Sequence, residues 1–104
     1  AMDAAGDRND PYFINSDAYD DAGEIQYEAY NRILNETLLL GGWENINIAH
    51  YWNIDKALEK HRYEGKRILI TYGAGHKGWF MRQLRKRDDI IITEMKPFLD
   101  KVLK

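Results

Sequence analysis

At 104 residues, with 44% hydrophobic, 31% charged and 12% aromatic side chains, the chain has the composition of one globular domain, which excludes a disordered or low-complexity polypeptide. It has no cysteine, hence no disulfide framework or thiolate zinc site, and no apolar run near the length of about eighteen residues that a membrane span needs. The net charge of −2 conceals a division: residues 1–55 carry eleven acids and two arginines, residues 56–104 thirteen Lys and Arg and six acids.

Ala1 ahead of Met2 reads as the remnant of a cleaved tag, and the stretch that follows (DAAGDRNDP, 3–11) is small, polar and rich in turn formers. Residues 1–15 are therefore expected to form a flexible segment ahead of a single domain over residues 16–104. From Ser16 the pattern turns helical. Ser16 or Asp17 can cap, and Asp17, Asp20, Asp21 and Glu24 put negative charge where the helix dipole favours it. Ala22, Ile25, Ala29 and Ile33 recur at spacings of three and four, until Gly41-Gly42 stops the helix. A second helix is predicted from Trp43 to His61, with Asn47, His50, Ile54, Ala57, Leu58 and His61 on one side and Gly65 marking its end.

The period then changes. Arg67 to Tyr72 (RILITY) is a β-branched apolar run that predicts a buried strand, and Gly73 to Gly78 (GAGHKG) predicts a tight turn. Trp79 to Arg87 reads as a helix, Asp88-Asp89 as a turn, Ile90 to Thr93 as a second strand, and Pro97 to Leu103 as a short closing helix. Strand, helix and strand at this spacing predict a right-handed crossover with parallel strands. The expected fold class is accordingly α/β: two N-terminal helices packed on a short parallel β-α-β unit, ending in a short helix.

The chemistry concentrates in the glycine segment. Gly73, Gly75 and Gly78 fit G-x-G-x-x-G between a predicted strand and a predicted helix, with Glu94 following 21 residues after Gly73. That is the context of a nucleotide-binding fingerprint, in which glycines let the backbone approach a pyrophosphate at a helix N-terminus. His76 offers a second reading, as a metal ligand or an acid–base group with a pKa near neutrality. In a third, the glycines supply only backbone freedom and His76 bonds locally. His50 and His61 are eleven residues apart and share a helix face without sharing a ligand sphere, so they read as surface or interface residues. Trp43, Tyr51, Trp52, Trp79 and Phe80 read as core, and the basic run Arg82 to Arg87 as a solvated helix face; no nucleic-acid partner is expected.

The segment RILITYGAGHK (67–77), an aromatic-bearing helix, a basic patch and DIIITEMKPFL (89–99) together resemble the C-terminal part of a bacterial family related to the TraB/Tiki/GumN and erythromycin-esterase-like superfamily. WENINIAHYWNI (43–54) is similar to that family's W-x-x-R-N-x-x-x-x-x-N-I helix, with Asn47 and Asn53 matching and Ile46 in place of the arginine. The resemblance covers roughly residues 43–99. It implies part of a metal-dependent hydrolase, in which Gly73-x-x-His76 matches the C-terminal of two G-x-x-H motifs and His76 would help to hold a divalent metal. The other motif has no counterpart, since Leu40-Gly41-Gly42-Trp43-Glu44 lacks a histidine in register. The resemblance thus implies the C-terminal portion of a larger protein, partnered by a missing N-terminal part and inactive alone. The glycine segment leaves a nucleotide as the alternative cofactor. The two oppositely charged halves are expected to pack on each other.

Overall fold

The structure is a computed structural model that describes residues 6–38 and 42–103. Among the described residues five helices follow one another: α1 (Pro11–Ile14), α2 (Asp17–Leu38), α3 (Gly42–Lys60), α4 (Ala74–Leu84) and α5 (Lys96–Leu103). Side-chain caps explain the first three starts. Asp10 caps α1 by accepting from the Tyr12 amide at 2.9 Å, with Pro11 in the first turn. Ser16 caps α2, its hydroxyl accepting from the Tyr19 amide at 3.3 Å, and Asp17 and Asp20 lie in the first turn as the dipole favours. The start of α3 is capped from another helix: Asn31 of α2 accepts from the Trp43 amide at 3.1 Å through its side-chain oxygen. After α3 the chain reverses through Tyr63 (φ 64°) and Gly65 (φ 66°), and only at Gly65 is that left-handed backbone sterically free.

Helix α4 lies against both α2 and α3, which also touch each other; α1 rests on α2 and on α5. The core is small. It consists of Ile54 and Leu58 from α3 and Trp79, Phe80 and Leu84 from α4, with Tyr51, Ile70, Met81 and Ile90 packed at its edge. The radius of gyration is 15.5 Å, against about 13 Å for a compact domain of this length, and the molecule is only 18 Å thick. Polar ties supplement the core. Arg87, its side chain 13% exposed, bonds Asp55 at 2.6 Å, Glu59 at 2.8 Å and Asp89 at 2.6 Å, fixing the end of α4 to α3. Tyr12 donates to Asp100 at 2.8 Å and joins the two ends of the chain. No helix of the described residues is long and apolar enough to cross a membrane.

The α/β architecture expected from the sequence is overturned: the described residues contain no strand and no sheet. Both runs, Arg67 to Tyr72 and Ile90 to Thr93, are irregular. Each gives one side chain to the core edge, Ile70 and Ile90, while Leu69 and Ile91 stand 84% and 95% exposed. The physical reason is that β propensity describes a fit to a paired, covered surface. Two short parallel strands without further neighbours satisfy few backbone groups and leave both faces bare. Instead, Ile68 to Tyr72 run beside Asn53, Ile54, Ala57 and Leu58 of α3 and border an open apolar channel of about 250 Å³. The glycine segment is corrected too: only Gly73 is outside the helix, and α4 begins at Ala74 rather than at Trp79. Ala1, Met2, Leu40 and the helix stop at Gly41 lie outside the described residues. The expected flexible segment contains α1.

Candidate functional site

His76 sits in the first turn of α4, where its amide bonds the Gly73 carbonyl at 3.0 Å. Its ring reaches α3. The Nδ1 atom is 2.7 Å from Oδ1 of Asn47, which is fully buried. The other end of that amide is committed, since Nδ2 donates to the Trp43 carbonyl at 2.9 Å. An amide held this way presents only its oxygen to the imidazole, so Nδ1 is the protonated nitrogen of the neutral ring. The Nε2 lone pair is then left for chemistry.

Aromatic rings surround this imidazole. Trp43 stacks on it with centroids 4.5 Å apart, and Tyr27 stacks on Trp43 at 3.9 Å. Phe80, one turn along α4, lies nearly parallel at 5.8 Å. His50 and Tyr72 meet the ring edge-on at 5.4 and 6.0 Å, and are 5.3 Å from each other. Burial in this setting, with His50 beside it, pushes the His76 pKa down from the ordinary value, so the free base is favoured near neutrality. Trp43 adds a buried indole N–H that has no partner among the described residues.

Sequence reasoning separated residues that the fold brings together. His50 was expected at a surface or interface and stands against His76. Asn47, placed by the sequence on the same helix side as His50 and at a position matching the family's helix, holds the ring; its pairing with His76 needed the crossing of α3 and α4. His61 lies apart, in the turn after α3, where it is 2.8 Å from Glu64. Trp79 and Phe80 are core as expected, and Trp79 also donates to Glu44 at 2.9 Å.

The glycines serve packing. A Cβ on Gly75 would stand 2.8 Å from the Tyr27 hydroxyl, and one on Gly78 would stand 3.1 Å from Cβ of Asp20 and 3.5 Å from its Cα. Two of the three fingerprint glycines thus let α4 approach α2, and carboxylates rather than open backbone face Gly78. Only Gly73 is clear of other elements, the nearest atom to its Cβ position being His76 Cδ2 at 3.7 Å. As for a metal, no three or more His, Cys, Asp or Glu side chains among the described residues are grouped to hold one. His76 and His50 provide two imidazoles, and a catalytic zinc takes about three ligands from its protein. Searches of family models, of curated proteins and of solved structures each return no match to this chain.

Proposed function

We propose that His76 is the proton acceptor of a hydrolytic site, as part of a TraB/Tiki-like hydrolase of the kind that the sequence resemblance implies. The observation that supports this reading best is the 2.7 Å bond from His76 Nδ1 to the buried, doubly bonded amide of Asn47. It sets the tautomer and the ring plane, and it directs the basic nitrogen Nε2 away from α3's interior partner. A general base needs a favoured neutral form and a fixed orientation, and His76 has both. His76 takes the proton from a water or hydroxyl nucleophile at Nε2 and passes it to the leaving group. Asn47 steadies the imidazolium that forms in between, as a neutral acceptor for Nδ1–H. His50 and Tyr72 pack edge-on against the same imidazole and are the neighbouring polar side chains that could bond the nucleophile or the leaving group. These roles use the chain's own side chains; a divalent metal of the kind that the resemblance implies would need ligands in addition to His76 and His50.

Hydrolysis of p-nitrophenyl acetate tests this reading when rates in H₂O and D₂O are compared, since a rate that falls in D₂O marks proton transfer to His76 and an unchanged rate marks direct attack of Nε2 on the ester. The wild-type rate should exceed that of His76→Ala, while His61→Ala stays near wild type. The acid limb of the rate profile should fall below about pH 6.5, the ordinary histidine value. Equal rates for wild type and H76A would remove His76 from the chemistry. Calorimetry with Mn²⁺, Co²⁺ and Zn²⁺ on the same two proteins reads the metal question separately.

A further inference from the structure

Tyr72 belongs both to the ring cluster around His76 and to the open apolar channel along α3. Its ring stands edge-on to His50 at 5.3 Å and to His76 at 6.0 Å. The helix wall of the channel consists of Asn53, Ile54, Ala57 and Leu58, and His50 precedes the first two of these by three and four residues. Residues at that spacing share one helix face, so His50 continues the wall of the channel by one turn, and its ring meets His76 at 5.4 Å. Both walls thus lead to the same imidazoles, α3 through His50 and residues 68–72 through Tyr72.

Shape and lining restrict what the channel can hold. Five consecutive residues (68–72) form one wall and more than one turn of α3 the other, which makes it elongated. Among the described residues no charged side chain lines it. Ile54 and Leu58 tie it to the core, whereas Ile68 and Leu69 stand 44% and 84% exposed. Aliphatic surface left to water in this way is stabilised by an apolar cover. An apolar cavity of about 150 Å³ takes the six carbons of benzene, so about 250 Å³ takes in proportion a chain of up to about ten carbons. We propose, resting on the hydrolytic reading of His76, that the substrate is an ester of a medium-chain fatty acid, its alkyl chain in this channel and its carbonyl carbon at the His76 end. Water gives a proton to His76 Nε2 as its oxygen bonds the carbonyl carbon. The bond from that carbon to the alcohol oxygen breaks, and the proton passes to the departing alkoxide, which yields a carboxylic acid and an alcohol.

Two measurements test the chain and the chemistry apart. In amide NMR of the labelled protein, octanamide should give saturable shifts at Ala57 and Ile68 to Thr71 at about millimolar concentration, and acetamide none, in wild type and His76→Ala alike. In ester hydrolysis, the ratio of kcat/KM for p-nitrophenyl octanoate to that for the acetate should exceed the ratio given by free imidazole by at least about tenfold, since each fully buried methylene is worth about fourfold. Ala57 is exposed on α3, so Ala57→Trp, which fills the channel, and Ala57→Asp, which charges it, should keep the far-UV circular dichroism of the wild type. Both should bring the ratio down to that of free imidazole, while Trp52→Ala, outside the channel, should keep the wild-type ratio. Octanamide shifts without His76-dependent hydrolysis would overturn the ester as substrate, along with the hydrolytic reading, and leave the channel a site for the chain alone. His76-dependent hydrolysis at the ratio of free imidazole, with no octanamide shift, would overturn the chain site and leave that reading intact. A dimer in gel filtration that A57D dissociates would show a second copy covering the channel, and would overturn the proposal as well.

Discussion

The Asn47–His76 bond makes a prediction about stability that is independent of any reaction. The folded state holds the His76 pKa below the ordinary value near 6.5, so the unfolded chain takes up the proton first as pH falls. This histidine's contribution to stability is therefore complete above about pH 6.5 and is lost as pH drops from there through the folded value. Urea midpoints measured between about pH 7 and pH 5 should fall for the wild type and fall less for His76→Gln. Asp20 and Glu24, whose carboxyls burial pushes up, act in the opposite sense and mainly at lower pH, so they do not mimic this slope. Replacing Asn47 by Ala removes the acceptor for Nδ1 and should cost about 1–3 kcal/mol, the range for stranding a buried polar group. The ring should then lose its single tautomer, which ¹⁵N shifts of the imidazole read directly. Identical midpoints and tautomer populations in N47A would show that the bond does not hold the ring.

Helices α2 and α4 meet through glycine, and that contact inverts the usual effect of a Gly-to-Ala change. Inside a helix the exchange normally gains about 0.5–1 kcal/mol. At Gly78 the new methyl would press on Cβ and Cα of Asp20, atoms that belong to or adjoin the α2 backbone and cannot swing aside. Overpacking of this kind costs about 1–3 kcal/mol, so Gly78→Ala should be net destabilising in urea, and a gain in midpoint would contradict the packing. At Gly75 the obstacle is the Tyr27 hydroxyl, on a ring stacked against Trp43, which in turn stacks on His76. The same residues show what a sequence can and cannot reveal. The long helices were legible because Ala22, Ile25, Ala29 and Ile33 repeat at the helical period and Ser16 supplies a cap. The glycine segment was legible as a special site but not as a packing face, since G-x-G-x-x-G is compatible with a turn and with a helix flank alike. Ile68 to Thr71 and Ile90 to Thr93 have strand composition, yet a strand exists only with a partner, and partners are not encoded locally. His50 could not be joined to His76 without knowing how α3 crosses α4.

Across the whole molecule, the division of charge becomes an interface. Lys77 and Arg82 of α4 and Arg85 just after it pair with Asp20, Glu24 and Asp17 of α2 at 2.7, 2.9 and 3.0 Å, so the acidic half lies against the basic half as the sequence led us to expect. The basic run that could suggest a nucleic-acid surface is in large part spent on these contacts and on the Arg87 cluster. With five buried apolar residues in the core among those described and a thickness of 18 Å, the fold leans on such ties more than a thicker domain would. Exposed pairs are screened once salt shortens the Debye length to a few ångströms, whereas apolar burial is not weakened by NaCl. The melting temperature should therefore drop by several degrees between low salt and about 1 M NaCl, the reverse of what a fold held by its core alone would do. Reversing one partner, Glu24→Arg or Arg82→Glu, should lower the low-salt melting temperature, and the double exchange should recover much of the loss while restoring the salt dependence. If neither reversal moves the melting temperature, the cross-helix pairs are bystanders, and the contact between the two halves rests on Gly75, Gly78 and the aromatic stack alone.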